Sequence, residues 1–278
     1  MTAHLAPGLN LEGVWTPDVR FNQIGKPGSE FQFQPPRYRF QHPVQRIPGD
    51  QEATRSLARS EGGFRLSWLV QGWDMSLLYY NAADKTPVLR QRLVPQPGGP
   101  SLILLQPHHP RLHTVGATLS KSIEPVVLRS EAAFTIGKRY DTVNPQDLDG
   151  VVRRDTLDYL LGVDYTVAET IDTALQFGQK ILFGPATHIT RGAVAARVTS
   201  SLALRLHTGF FNDLWQPTLL WVINLPRGDS RLSVKLEYLL TGAVTVTLGS
   251  DMFAGPAHTL YGQFDANDRV YVDVSWRW

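Results

Sequence analysis

His108, His109 and His113 fall within six residues, a density at which imidazoles can share a metal ion. Pro107 and Pro110 turn the stretch into a corner and no carboxylate lies close in sequence, so a solvated loop is the plainer expectation. Asp147-Leu-Asp149-Gly150 carries the acids and glycine of a calcium-loop fragment, without the remaining ligands or the closing Glu. It reads as a polar surface loop. His207 or His258 could act as the base of a Ser/His/Asp hydrolase, but no Gly-x-Ser-x-Gly elbow nominates the serine. Glycine-rich phosphate loops are absent. The residues predict no enzyme, no metal and no cofactor.

Other charged residues follow a strand period. Arg129 and Glu131 stand two apart, which puts both on one face of a strand and predicts a structural ion-pair network. Asp158 and Asp164 are six apart, an even spacing that also puts both on one face of a strand, as lumen residues would be. The set Arg65, Asp74, Arg129, Glu131, Asp158, Asp164, Lys180, Arg197, Arg205, Lys235 and Glu237 all fall on the polar side of an alternating pattern and are predicted to line a lumen. Asp172, Arg231, Asp273 and Arg277 share that side. Both signs are interspersed, which predicts ion pairs in place of a strongly selective ring of one charge.

The elements that hold them are strands. Phe64, Leu66, Trp68 and Val70 oppose Arg65, Ser67, Leu69 and Gln71; across Gly72, Trp73, Met75, Leu77 and Tyr79 continue the apolar side, which predicts a hairpin. The same period recurs over 126–136, 157–167, 171–181, 198–207 and 231–240, with a short partner at 244–248 and weaker segments near 9–15, 112–120, 218–225 and 259–264. The total is about 12–14 strands of the length that a tilted membrane strand needs. Tight connections (Gln71-Gly72, Thr241-Gly242) contrast with long polar ones (138–154, 184–192). At the end of the chain Val270, Val272, Val274, Trp276 and Trp278 form an unbroken apolar face, the kind of pattern that outer-membrane barrels present to their insertion machinery.

Composition agrees with this pattern. The 278 residues are 42% hydrophobic and 10% aromatic with no cysteine, which excludes a disulfide framework or a thiolate site. Lys+Arg at 27 against Asp+Glu at 25 implies no nucleic-acid partner. No apolar run approaches the ~18 residues of a membrane helix. Trp15, Trp68, Trp73, Tyr79, Tyr159, Tyr165, Trp215, Trp221, Tyr238, Tyr261, Trp276 and Trp278 supply candidates for interfacial girdles.

The expected fold is therefore all-β: an antiparallel up-and-down transmembrane β-barrel, one domain over 1–278. The segment 21–56, with Pro35, Pro36, Pro43 and Pro48, is expected to be a Pro-rich loop or insertion, since proline cannot donate to a ladder. The first residues lack the basic start and apolar core of a secretory signal, so an N-terminally truncated chain, the C-terminal part of a larger barrel, is expected.

Four blocks in order, Gly72-Trp-Asp-Met-Ser-Leu-Leu-Tyr-Tyr80 with Pro87 downstream, Val115-Gly-Ala-Thr-Leu-Ser120, Val127-Leu-Arg-Ser-Glu-Ala-Ala-Phe134 and Asp158-Tyr-Leu-Leu-Gly-Val-Asp-Tyr165, resemble a family of Gram-negative outer-membrane proteins known as domain of unknown function 1302. The resemblance spans Leu9 to Trp278 and departs from the family in lacking its upstream strands and signal. It implies a barrel in the bacterial outer membrane, a porin-like channel or an export component for small hydrophobic or amphipathic molecules. Its implied partners are outer-membrane lipids, the barrel-assembly machinery and an inner-membrane transporter, and it carries over no catalytic residue. Two alternatives stand beside it: an outer-membrane lipid-modifying enzyme, and a soluble β-protein that binds lipid or carbohydrate.

Overall fold

The computed structural model describes residues 1–22, 30, 44–46, 59–142, 144, 146–186, 188–189, 196–225 and 227–277. Most of the proline-rich segment and Trp278 lie outside the described residues. Thirteen strands hydrogen-bond in chain order into one antiparallel sheet. They are β1 (Thr2–Ala6), β2 (Leu9–Thr16), β4 (Glu61–Val70), β5 (Trp73–Ala83), β8 (Arg111–Ile123), β9 (Val126–Asp141), β10 (Val151–Val167), β11 (Ile171–Leu182), β12 (Val198–Thr208), β13 (Trp215–Leu225), β14 (Ser230–Leu239), β15 (Val244–Ala254) and β16 (Arg269–Trp276). A smaller sheet joins β3 (Val44–Arg46), β7 (Leu102–His108) and β6 (Val88–Val94).

The all-β antiparallel expectation holds, and no closed ring is found among the described residues. No pairing joins β1 to β16 among the described residues, and in an antiparallel series of thirteen the first and last strands run in the same direction. The segment near Thr259 to Phe264 is also not a strand. It forms part of the connection 255–268, with a 3-10 helix at Gly262–Asn267. The Thr259 hydroxyl donates to Pro256 O at 2.7 Å, and a Cβ on Gly262 would stand 2.3 Å from that same oxygen, so the chain folds too tightly there for an extended ladder. The polar stretch 138–154 is strand at both ends: β9 and β10 run for 16 and 17 residues and leave 142–150 as the loop between them. A bulge at Gly137, with φ +71°, absorbs the register shift between Arg154 and Thr156 and lets the ladder continue past it.

Connections sort by end. One end carries 7–8, 71–72, 124–125, 168–170, 209–214 and 240–243; the other carries 17–60, 84–110, 142–150, 183–197, 226–229 and 255–268. The two-residue turn 71–72 has left-handed residues at both centres, Gln71 and Gly72 at φ 48° and 77°, as a turn with matching twist requires, and the three-residue connection 168–170 opens on two more, Ala168 and Glu169 at 50° and 59°.

Side chains sort by face. Cross-strand partners share a side, so the register carries a face around the whole sheet. Val270, Val272, Val274 and Trp276 lie on the same side as Val246, Leu248, Leu232, Leu236, Trp221, Leu219, Leu204, Leu175, Val163, Leu128, Leu119, Met75 and Trp68. This face is open to its surroundings, with Val272 68% and Leu161 50% exposed. Among the described residues the buried side chains include eleven polar or charged and seven hydrophobic ones. The usual arrangement of a water-soluble protein is inverted. A small buried apolar cluster remains among the described residues, formed by Tyr140, Val152, Leu182 and Ile189 at the long-loop end.

Candidate functional site

On the opposite face the register aligns polar rows. Leu78, Gly116, Ala133, Asp158, Lys180 and Thr199 form one continuous row over β5, β8, β9, β10, β11 and β12; Ser76, Thr118, Glu131, Leu160, Gly178 and Ser201 form the next. Glycine, alanine and serine in these rows leave space, and a cavity of about 680 Å³ opens over them. Thr86 and Pro87, on the connection between β5 and β6, and Val88, the first residue of β6, line it from the other side. That roof is anchored: Leu89 N–H donates to Asp141 Oδ1 at 2.7 Å, Gln91 N–H to Asp149 O at 2.7 Å, and Lys138 Nζ lies 3.4 Å from Asp84 Oδ2.

Cross-strand ion pairs lace the same face. Lys180 Nζ is 3.1 Å from Asp158, Arg129 Nε 2.7 Å from Asp164, and Arg65 Nη2 2.8 Å from Glu12. Asp251, 1% exposed, accepts from Arg231 Nη2 at 2.9 Å, Ser233 Oγ at 2.7 Å and Arg269 Nε at 2.9 Å. The connection 255–268 folds beside this cluster and lines a pocket with it through Leu260, Tyr261 and Phe264. Burial raises the Tyr261 phenol above its usual range, opposed by Arg231 and aided by the Asp229 carboxylate.

Arg65, Asp74, Arg129, Glu131, Asp158, Asp164, Lys180, Arg205, Lys235 and Glu237 all stand on this one face by register. Arg197 departs from the strand expected for it: it is exposed in the connection 183–197, where its carbonyl accepts the Leu182 N–H at 2.8 Å. The expected pairing of Arg129 with Glu131 does not form. Arg129 turns to Asp164, because Gly162, directly opposite it on β10, has no side chain to block the reach to the acid two residues further on. Val270, Val272, Val274 and Trp276 occupy the apolar face.

The histidine cluster is dispersed. His109 stacks on Phe21 at 3.6 Å and its Nδ1 lies 2.7 Å from Asp84 O, while His113 Nδ1 lies 2.7 Å from the Tyr79 hydroxyl. No group of three metal-ligating side chains occurs among the described residues. Asp147 and Asp149 bond within their own loop, Oδ2 of the first to Asn144 Nδ2 at 3.1 Å and Oδ1 of the second to the Val151 N–H at 3.2 Å. His207 Nδ1 lies 2.9 Å from the Thr218 hydroxyl.

Sequence reasoning missed Asp251, Glu12 and the roof at 84–88. Asp251 was legible in principle, since the alternation that places Thr247 on the polar face reaches 251 two steps later. No protein-family model matches the chain, and no curated protein matches it.

Proposed function

We propose that the chain builds the wall of an outer-membrane β-barrel that passes or holds small hydrophobic or amphipathic molecules and does no chemistry on them. The observation that supports this best is the inverted sheet: an apolar face open to its surroundings backed by a face of matched charges. In water such a face would drive association, since contiguous apolar patches beyond a few hundred Å² are rare on soluble monomers. Against lipid it is the required arrangement, because hydrocarbon accepts strands whose backbone groups pair within the sheet and charges the outward placement of Arg or Lys roughly 2–4 kcal/mol at the midplane.

Three further features agree. Among the described residues the register-paired charged side chains of the apolar face lie only near its ends, Arg111, Arg139, Asp141 and Arg153 at the long-loop end and Lys121 at the short-turn end, where headgroups would meet them. Trp68, Trp73, Tyr165, Trp215, Tyr238 and Trp276 ring the short-turn end of that face, as an interfacial girdle does. Short turns at one end and long connections at the other repeat the asymmetry of barrels with periplasmic turns and external loops. Closure then takes either an odd number of further antiparallel strands or a parallel seam between β1 and β16. The terminal pattern Val270 to Trp276 suits recognition by an assembly machinery, and the family resemblance suggests an inner-membrane transporter as a partner.

The test is membrane-fraction recovery with comparison of boiled and unboiled migration. A heat-dependent shift of detergent-extracted protein is the expected result. Monodisperse protein without detergent would overturn the reading.

A further inference from the structure

We propose that the cavity beneath the 84–88 roof binds an amphipathic molecule bearing a single positive charge, with Glu131 as the group that holds the charge. This rests on the barrel reading above and narrows its ligand class.

Pairing decides the matter. Of the cations on the cavity wall, Lys180 is engaged by Asp158 at 3.1 Å and Lys138 by Asp84 at 3.4 Å. Arg129, two residues from Glu131 on the same face, is the neighbour best placed to neutralise it, yet it is taken by Asp164 at 2.7 Å. Glu131 is left lining the cavity with no ion-pair or hydrogen-bond partner among the described residues. Two further charges line the space, Arg139 and Asp141. They stand two residues apart at the rim end of β9, where beyond the Gly137 bulge the register turns both toward the apolar side with Arg153 and Val151, so they border the space at its mouth, and Asp141 accepts the Leu89 N–H. Their charges cancel, so the cavity carries one negative charge in excess, and it sits on Glu131.

The exposed carboxylate has neighbours of both kinds, a hydroxyl on one side and hydrocarbon on the other. Its cross-strand partners on the same face are Thr118 and Leu160. Leu78 lies across Gly116, its Cδ1 3.1 Å from where a Cβ would stand on that glycine, and Pro87 and Val88 face the wall from the roof. An ammonium at Glu131 with a hydrocarbon body against Leu78, Leu160 and Val88 satisfies both halves of the site. A neutral ligand would leave the carboxylate desolvated without a partner, and an anion would be repelled by it.

The experiment uses the full chain in lipid nanodiscs, titrated calorimetrically with octyltrimethylammonium, octanol and octyl sulfate after subtraction of the same titrations into empty nanodiscs. Wild-type protein is expected to bind the cation at least about tenfold more tightly than octanol, the factor that 1.4 kcal/mol supplies, and to bind octyl sulfate least. Glu131→Gln should remove the preference for the cation while leaving octanol binding in place, and Glu131→Asp should retain it. Equal affinities for cation and octanol in the wild type, or an unchanged preference in Glu131→Gln, overturn the assignment. Octanol binding and heat-modifiable migration of each variant report on the fold independently. A chain that stays soluble without detergent fails the barrel reading itself, a result distinct from a membrane-embedded chain that does not discriminate by charge.

Discussion

Arg231 reaches across from β14 to Asp251 on β15, Nη2 to Oδ1 at 2.9 Å, and Arg269 on β16 holds the other oxygen at 2.8 Å. One carboxylate thus ties the last three strands together at the level where the connection 255–268 folds in. Asp251→Asn leaves two guanidiniums facing each other. Asp251 is buried but both arginines are more than a third exposed, so solvent screens part of the loss, and about 1–3 kcal/mol is expected. The readout is the temperature at which the unboiled folded band disappears, which should fall clearly. An unchanged midpoint would show that the cluster is ornamental.

Leu160 and Leu161 are neighbours on β10 that face opposite ways. On the membrane reading, Leu161→Arg costs about 2–4 kcal/mol and abolishes assembly in vesicles, whereas Leu160→Arg is tolerated on the charged side. Refolding yields of the two variants into lipid vesicles measure this directly. Equal yields, or the reverse order, would falsify the assignment of faces to lipid and interior.

Tyr271 covers Gly249, its Cζ 2.2 Å from where a Cβ would stand, and the two residues are directly paired between β15 and β16. Gly249→Val should displace the ring and loosen β16 by about 1–3 kcal/mol. Adding Tyr271→Ala should recover part of that loss, a coupling that a double-mutant cycle of denaturant midpoints exposes. Strict additivity of the two changes would show that the ring does not depend on the glycine.

Gly137 combines φ +71° with a Cβ position 2.7 Å from Arg153 Nε, and its N–H donates to Asp155 Oδ1 at 2.7 Å. Gly137→Ala is expected to cost about 1–2 kcal/mol through the left-handed backbone alone. Gly242→Ala is the control, since that glycine meets nothing within 4 Å and has no left-handed φ. Comparable midpoints for the two variants would remove the bulge as a reason for the glycine.

The two faces of the sheet were legible in the sequence because a strand writes its orientation locally: Arg65 against Leu66, or Lys235 against Leu236, needs no knowledge of the partner strand. Partners were not legible for the same reason. Whether Arg129 turns to Glu131 on its own strand or to Asp164 on the next depends on register, and on a glycine at 162 that sequence spacing does not connect to it. Arg197 reads as one more lumen-facing step of β12, but the ladder stops at Val198. The roof at 84–88 was hidden because β6 and β7 are short, the first preceded by Pro87 and followed by Pro95 and the second containing Pro107, so the stretch looks like loop although β6 and β7 pair in a small sheet of their own.

That β1 and β16 run the same way limits how copies of this sheet can meet. With the apolar faces kept on one side, two copies join antiparallel only by like edges, β16 to β16 or β1 to β1, about a two-fold axis. Joining unlike edges, β16 of one copy to β1 of the next, gives a parallel seam and repeats the same operation at each step, which closes only if the curvature happens to complete a ring. The shared direction of the two edge strands therefore makes the like-edge joint antiparallel and two-fold and the unlike-edge joint parallel and repeating.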